Sequence, residues 1–182
     1  MQNALVVYGT RTGAAAFTAH EIAQELQRLG VETRVIDAKK EEVRSIDQYD
    51  LIVVGSGIQM GRWTGDADSF LKRFRKELAK KKVALFVNCG SAVESMNEGK
   101  PEVATNARRK YLEEKATQYG LTPVALGFFG AVYNFNEMPW IIRKGMEHER
   151  PKLASYRQPE LGVYDTRDVE GIRDWARNLL AR

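Results

Sequence analysis

Short apolar runs alternate with longer segments of helical periodicity along this chain. Five runs have the length and apolar character of buried strands, at residues 4–8, 33–37, 51–55, 83–87 and 124–129. Between and after these runs, apolar side chains recur every three to four residues, which predicts helices at about 14–29, 67–78, 101–119 and 167–180. This alternation predicts an α/β fold in which helices cover both faces of a parallel five-stranded sheet.

Residues 131–161 interrupt this alternation. They place about thirty residues between the last predicted strand and the last predicted helix, whereas such connections usually take about two to six residues. Aromatic and apolar side chains come first in the segment, and basic side chains follow. A short helix is expected near 137–146. The insertion is either a packing annex or a functional loop, and both interpretations stay open at this point.

Length and composition fit one soluble globular domain that spans residues 1–182. No apolar run is long enough for a transmembrane helix, and the N-terminal apolar run is a predicted strand rather than a secretory signal. Cys89 is the single cysteine, which excludes an internal disulfide and favours a cytoplasmic location.

The formal net charge is +4, and the positive charges are clustered at residues 72–82 and 143–152. Such clusters are either solvated helix faces or surfaces that steer an acidic partner or an anionic membrane. No nucleic-acid-binding motif accompanies them, so we expect no nucleic-acid partner.

The first strand runs into a hydroxyl-rich turn and then directly into a helix. In an open parallel sheet, ligands bind at the carboxyl ends of the strands, and such a turn binds phosphate through backbone N–H groups and the helix dipole. The turn has neither the Gly-Lys-Ser/Thr of a nucleoside-triphosphate loop nor the three-glycine spacing of a dinucleotide fold. The alternative is an ordinary strand-to-helix turn. The candidate residues for holding one terminal phosphate are Thr10, Arg11, Thr12, Gly13, Ala14 and Ala15.

Two later loops are expected at the same edge of the sheet. The loop after the third strand is rich in glycine, so its backbone can approach a flat ligand, and the tryptophan at its end could cover a ring face. The alternative is a connector whose tryptophan packs on the second helix. The candidate residues in this loop are Ser56, Gly57, Ile58, Gln59, Met60, Gly61 and Trp63.

The loop after the fourth strand offers amide and hydroxyl groups to the edge of a heterocycle. Its candidate residues are Asn88, Cys89, Gly90 and Ser91. We expect Cys89 to be a small buried residue rather than a nucleophile, because no histidine or acid motif supplies a base for it. No catalytic side chain and no metal site is predicted.

Together the three loops resemble those of the flavodoxin family, and the resemblance extends over the whole chain. In that family the first loop reads Thr/Ser-x-Thr-Gly-x-Thr and surrounds the phosphate of FMN; Thr10, Thr12 and Gly13 match it, and Ala15 replaces the last hydroxyl. The resemblance implies a three-layer sandwich with strand order 2-1-3-4-5 and FMN as the cofactor. Its isoalloxazine ring would then lie beside residues 56–61 and 88–91. The aromatic residue that the family carries in the fourth-strand loop is absent here.

Within this superfamily, the chain is most similar to the flavodoxin-domain, quinone-dependent protoporphyrinogen oxidases. The similarity lies in the loop from Gly55 to Gly61, in the aromatic and basic insertion, and in Val163-Tyr164-Asp165 before the last helix. Gln59 and Met60 stand where that group has Arg and Tyr.

These observations predict an FMN-binding redox protein that carries electrons between cytoplasmic partners, with a redox protein or a quinone as its partner. The alternative is an FMN-dependent enzyme of the menaquinone-dependent protoporphyrinogen oxidase type, in which the insertion binds a planar tetrapyrrole. Residues 133–152 are also a candidate for peripheral membrane contact. A flavin-free binding module is a third alternative. The excess of basic over acidic residues in the chain predicts a flavin reduction potential less negative than that of an acidic flavodoxin.

Overall fold

The computed structural model describes residues 3–90 and 99–181. Its main sheet is parallel, with strands β1 Asn3–Gly9, β2 Glu32–Asp37, β3 Leu51–Gly57, β4 Lys82–Asn88 and β5 Ala125–Phe129. The spatial order is β2-β1-β3-β4-β5, so the chain leaves β1 toward one side for β2 and returns on the other side for β3. The predicted fold class and strand order are therefore confirmed.

Helices cover both faces of this sheet. In chain order, the helices of the described residues are α1 Ala14–Arg28, α2 Gly65–Arg73, α3 Arg75–Leu78, α4 Pro101–Arg108, α5 Glu114–Gln118, α6 Trp140–Met146, α7 Arg150–Leu153 and α8 Val169–Asn178. Of these, α6 and α7 belong to the segment between β5 and α8 and do not cover the main sheet. Two predicted helices are interrupted: the second breaks at Phe74, and a π-helical turn at Arg109–Glu113 separates α4 from α5. Leu29, the last residue of the first predicted helix, lies just beyond α1 and is exposed, because the chain turns away there at Gly30.

Each face of the main sheet has its own apolar core. Leu5 and Val7 on β1 contribute to the core under α2, and Val6, between them, contributes to the core under α1 and α8. Successive side chains of a strand point to opposite faces, so a sheet covered on both sides needs apolar residues at nearly every position. This requirement explains the almost unbroken apolar runs in the sequence.

Ion pairs add to the packing of α8 on α1. Arg177 Nη1 lies 2.9 Å from Glu25 Oε1, and Arg173 Nε lies 2.9 Å from Glu21 Oε2. Glu25 also pairs with Arg28 on its own helix, with 3.0 Å between Nη1 and Oε2. The last helix is therefore held to the first by charge as well as by the core that the two helices share.

The segment from residue 131 to residue 165, here called the annex, contains a second sheet. Its strands are β6 Val132–Asn134, β7 Arg157–Glu160 and β8 Val163–Asp165, which pair antiparallel in the order β6-β8-β7. The sequence predicted the helix found here as α6, but it did not predict this sheet, because strands of three or four residues are too short to show an alternating pattern. A small core of Phe135, Leu153 and Tyr164 holds the annex together.

Within the two described ranges, no helix combines the length and the apolar character needed to cross a membrane.

Candidate functional site

The loop after β1 presents backbone N–H groups at the start of a long helix. Gly13 precedes α1 with φ of +86°, and its N–H donates to Thr10 Oγ1 at 2.9 Å. The first hydrogen bond of α1 runs from Phe17 N to Gly13 O at 3.0 Å. The N–H groups of Ala14 and Ala15 therefore come before any intrahelical acceptor, and they lie at the positive end of the helix dipole. This arrangement suits an anion.

The side chains of this loop divide into exposed and buried groups. Arg11, Thr12 and Gly13 are exposed at the tip, whereas Ala14 and Ala15 are buried. Ala15 belongs to the core between α1 and the sheet. The position where the family pattern has a third hydroxyl can thus offer a ligand only its backbone amide.

The loop after β3 is closed by the Ser56 side chain. Ser56 Oγ accepts a hydrogen bond from Thr64 N at 2.9 Å and donates one to Gly57 O at 3.0 Å. The start of α2 also packs tightly on the end of β1, because a Cβ atom on Gly9 would lie 1.8 Å from Thr64 Oγ1. Ser56 is fully buried, so its side chain shapes the loop from inside. Gly57 faces open space, with nothing within 4 Å of a Cβ placed on it.

The tip of this loop is a tight turn at residues 59–62. Gln59 and Arg62 exchange two backbone hydrogen bonds of 3.2 Å each, and the two residues between them, Met60 and Gly61, have φ of +51° and +72°. Two successive positive φ values are typical of a type I′ turn, a conformation that costs little at glycine and more at methionine. The Met60 side chain is 90% exposed, so no packing compensates for this cost.

Trp63, at the end of the loop, is buried in the core under α2. Its Nε1–H donates to the carbonyl of Tyr111, in the π-helical turn, at 2.8 Å. With 7% of its surface exposed, the Trp63 side chain has little area left to cover a ligand. The geometry favours the packing interpretation of Trp63 over the ring-covering one.

The loop after β4 is connected to the rest of the edge through Asn88. Asn88 Nδ2 donates to Thr18 Oγ1 on α1 at 3.0 Å and to Gly130 O after β5 at 2.6 Å. Its Oδ1 is buried, and no donor reaches it within residues 3–90 and 99–181. A buried acceptor without a donor is costly, so a ligand N–H or hydroxyl that reached this oxygen would stabilise the site. Cys89 is buried, as predicted; Ser91 lies outside the described residues.

Hydrogen bonds join the three loops at one edge of the sheet. Arg11 Nη1 donates to Gln59 Oε1 at 3.0 Å, which links the first loop to the second. Ile58 N donates to Asn88 O at 2.9 Å, which links the second loop to the third. The structure thus brings the predicted residues together where the strand order reverses.

One titratable side chain beside this edge has a shifted pKa. Burial raises the pKa of Tyr8, near the end of β1, and the negative charge of Asp37 raises it further. The phenol therefore stays neutral over the physiological range. Within the described part of the chain, no group of three or more His, Cys, Asp and Glu side chains is arranged to hold a metal ion.

The sequence analysis missed two side chains that shape this site. Thr18 accepts from Asn88, and its signal in the sequence was a hydroxyl on the otherwise apolar face of α1. Thr64 contacts Ser56 and Gly9, and it directly precedes the helix that begins at Gly65, which is a common place for a threonine. Both act through contacts between elements distant in sequence.

The donors and spaces of this edge fit a flavin nucleotide. The first-turn amides of α1 and the exposed Thr12 are donors suited to a phosphate, and the backbone at Gly57 is open on the side where a Cβ would lie. Asn88 Oδ1, which no donor of residues 3–90 or 99–181 reaches, adds a buried acceptor. A separate open cleft of about 340 Å³ lies between residues 38–43 and α2, and it shares no lining residue with the three loops.

A family model and a curated relative each match part of this chain. The family model described as Flavodoxin domain matches residues 5–150. A protoporphyrinogen IX dehydrogenase [quinone] from Escherichia coli (strain K12) is 28% identical over 74 residues, which is 41% of this chain and 41% of that protein. The match thus spans well under half the length of that relative.

Solved structures show the same fold. Oxidised flavodoxin 1 from Bacillus cereus superimposes with a TM-score of 0.60 at 21% identity, covering 100% of this chain and 99% of that one. The rubredoxin oxygen:oxidoreductase of Desulfovibrio gigas has a TM-score of 0.54 at 15% identity, covering 100% of this chain and 37% of that one. The family match, over most of the chain, establishes that this protein belongs to the flavodoxin domain family.

Proposed function

We propose that this chain binds FMN at the carboxyl edge of the main sheet and carries electrons between cytoplasmic redox partners. The observation that carries the proposal is the convergence of three loops on the exposed N-terminus of α1, where the strand order reverses. FMN, when bound, supplies the one- and two-electron redox chemistry. The protein holds the phosphate at residues 10–15, excludes water from the ring and sets the charge around it.

Binding of FMN and of riboflavin, which lacks the phosphate, tests this proposal by titration calorimetry. The wild-type chain should bind FMN much more tightly than riboflavin. Thr12→Glu places a carboxylate in the exposed first loop. It should therefore lower the affinity for FMN by about 10-fold or more and leave the affinity for riboflavin nearly unchanged. Thr105→Glu, on an exposed position of α4, is the matched control and should change neither affinity. The proposal would be rejected if FMN gave no heat of binding, or if Thr12→Glu lowered the affinities for FMN and riboflavin equally.

The charges in the three loops support a flavin potential less negative than that of an acidic flavodoxin. Residues 10–15, 56–63 and 88–91 contain Arg11 and Arg62 and no carboxylate, and residues 92–100 contain Glu94, Glu98 and Lys100. Nearby positive charge favours a reduced, anionic flavin, whereas nearby carboxylates oppose it. Potentiometric titration of the FMN complex checks this proposal; a potential as low as that of an acidic flavodoxin would contradict it.

An enzyme of the protoporphyrinogen oxidase type, with a quinone as acceptor, is the second candidate. The similarity to the E. coli dehydrogenase favours it, as does the surface of the annex. Trp140, Ile141 and Ile142 on α6 are 67%, 65% and 44% exposed, an apolar area suited to a planar substrate or a lipid surface. Turnover of protoporphyrinogen with a quinone supports the enzyme; no turnover, together with fast reduction by a ferredoxin-type donor, supports the carrier.

Peripheral membrane contact through residues 133–152 is part of the same proposal. Arg143 and Lys144 follow the exposed apolar residues on α6, and the acids Glu147 and Glu149 are paired with Arg150 and Lys152. An apolar surface next to basic side chains suits an anionic bilayer. The wild-type chain should co-sediment with vesicles that contain anionic lipid, and the Ile141→Ser variant should stay in the supernatant. Val103→Ser, an exposed apolar position on α4, should still sediment; equal sedimentation of all three chains would contradict membrane contact through α6.

A further inference from the structure

The annex reaches the third loop of the candidate flavin site directly. β6 begins two residues beyond Gly130, whose carbonyl accepts from Asn88 Nδ2. The backbone there is fixed from the other side as well, because Ala131 N donates to Thr166 Oγ1 at 2.9 Å and Thr166 N donates to Ala131 O at 3.0 Å. The first strand of the annex therefore starts at a defined place on the carboxyl edge of the main sheet.

From this strand, Tyr133 extends over Gly90. A Cβ atom on Gly90 would lie 2.4 Å from Tyr133 Oη and 2.7 Å from both Cε2 and Cζ, so only glycine leaves room for the ring. The backbone of Tyr133 pairs with Tyr164 on β8, and its side chain packs against the annex core. The ring is thus supported by the annex on one side and reaches the third loop on the other.

Trp63 and Tyr111 also lie near the loops, and neither is placed as well to face a ring. Trp63 is buried, and its N–H is used by Tyr111 O. The Tyr111 hydroxyl approaches the second loop, 3.5 Å from a Cβ placed on Gly61, but its ring packs on the core under α2. Tyr133 is half-buried, and its ring lies directly beside the third loop.

We propose that Tyr133 is a cofactor-contact residue, whose ring forms an aromatic wall of the flavin site at the third loop. This inference rests on the proposed binding of FMN and adds to it the residue that faces the isoalloxazine. The loop itself contributes Asn88, Cys89 and Gly90, none of which has a ring. The insertion supplies an aromatic side chain from a distant part of the sequence to a loop that lacks one. An offset stack with a flat heterocycle is the contact that such a ring makes.

Affinities for FMN and riboflavin, and the emission of the bound flavin, test the inference. Tyr133→Leu should lower the affinities for FMN and riboflavin by the same factor, about 2- to 10-fold, because the lost contact is to the isoalloxazine ring and not to the phosphate. It should also raise the emission of the bound flavin, since a stacked tyrosine quenches flavin fluorescence. Tyr133→Phe keeps the ring and should keep the wild-type affinity.

Two matched variants separate this effect from damage to the annex or to the neighbouring loop. Tyr156→Leu removes another half-buried ring of the annex cluster, and Tyr111→Leu removes the ring beside Gly61; each should change both affinities less than twofold. The inference is overturned if Tyr133→Leu has the flavin affinities and the bound-flavin emission of the wild-type chain. It is also overturned if either matched variant lowers the flavin affinities as much as Tyr133→Leu does. Those results would leave FMN binding itself intact, whereas a wild-type chain that binds no FMN would reject the proposed function as well.

Discussion

The main sheet and the annex are both held together by apolar cores, but these cores bury very different amounts of apolar surface. In β1, every residue from Ala4 to Gly9 is buried, and each face of the sheet packs on helices. In the annex, α6 has no buried residue, and the core consists of three buried side chains with a few partly buried neighbours. The main sheet thus has the stability of a scaffold, and the annex presents apolar surface that other molecules can contact.

This difference explains how the candidate site is divided between the two regions. The loops after β1, β3 and β4 extend from the ends of buried strands, which fixes the positions of their backbone groups. The annex adds Tyr133 from a less extensively packed unit.

Removal of the Phe86 ring should cause the largest loss. Phe86 is fully buried in β4, and its ring fills the space beside Gly55, where a Cβ atom would lie 1.9 Å from Cζ. Phe86→Ala should lower the free energy of unfolding by about 3–5 kcal/mol, through lost burial and the cavity that remains. Equilibrium unfolding in urea measures it. The exposed-site variant Val103→Ala should lose less than about 0.5 kcal/mol; comparable losses in the two variants would contradict the assignment of the core.

The equivalent change in the annex should have a smaller and more local effect. Phe135 is as buried as Phe86, but it supports only the annex core. We expect Phe135→Ala to lower the free energy of global unfolding by about 1–3 kcal/mol, because the annex can open as a separate unit. Hydrogen exchange by mass spectrometry should show faster exchange in residues 131–165 and unchanged exchange in β1 and β3. Equally fast exchange in those strands would show that the two regions unfold together.

Trp63 tests whether the loop after β3 owes its shape to packing. Trp63→Phe keeps an aromatic ring in the core and removes the hydrogen bond to Tyr111 O. The expected loss in the free energy of unfolding is about 1 kcal/mol. The Kd for FMN should stay within twofold of the wild-type value, since the indole is buried away from the loop surface. If the loss of FMN binding free energy exceeded the loss in the free energy of unfolding, Trp63 would instead be assigned to covering the flavin ring.

The pairing of α8 with α1 predicts a small pH-dependent effect. A hydrogen bond from Arg177, with a smaller one from Arg28, holds the pKa of Glu25 below its ordinary value of 4.5. The charged carboxylate is therefore stabilised by folding at neutral pH, and this contribution is lost as the pH falls through the lowered pKa. Glu25→Gln should lower the melting temperature at pH 7.

The difference in melting temperature between Glu25→Gln and the wild-type chain should shrink as the pH is lowered below 4.5. Gln24→Ala, at an exposed and uncharged position of α1, should differ from the wild-type chain by the same small amount at every pH. A difference between Glu25→Gln and the wild-type chain that stays constant with pH would contradict the role of the charge.

Much of the fold could be predicted because the main sheet is covered on both faces. A strand such as β3 must then be apolar throughout, and that pattern is visible without any tertiary information. The annex sheet gave no such signal, since β6 has only three residues, all half-buried. The break at Phe74 and the π-helical turn at Arg109–Glu113 were also invisible, because neither interrupts the apolar spacing.

The loops of the candidate site could be predicted by their position after strands, but the roles of single side chains could not. Ser56 looked like a ligand-binding residue, whereas its hydroxyl is used within the loop by Thr64. Trp63 looked available for a ring face, whereas it is buried under α2. A sequence gives the residue types present in a loop, but the direction of each side chain depends on partners from elsewhere in the chain.

The sequence by itself determined the parallel sheet, its helical layers and the strand-to-helix turn after β1, because these depend on local periodicity and on residues adjacent along the chain. Only the tertiary structure decided which groups meet at the edge of the sheet: Arg11 with Gln59, Asn88 with Thr18, and Tyr133 with Gly90. These contacts join residues far apart in sequence. Their geometry follows from how the strands, helices and annex pack, and no local pattern contains that information.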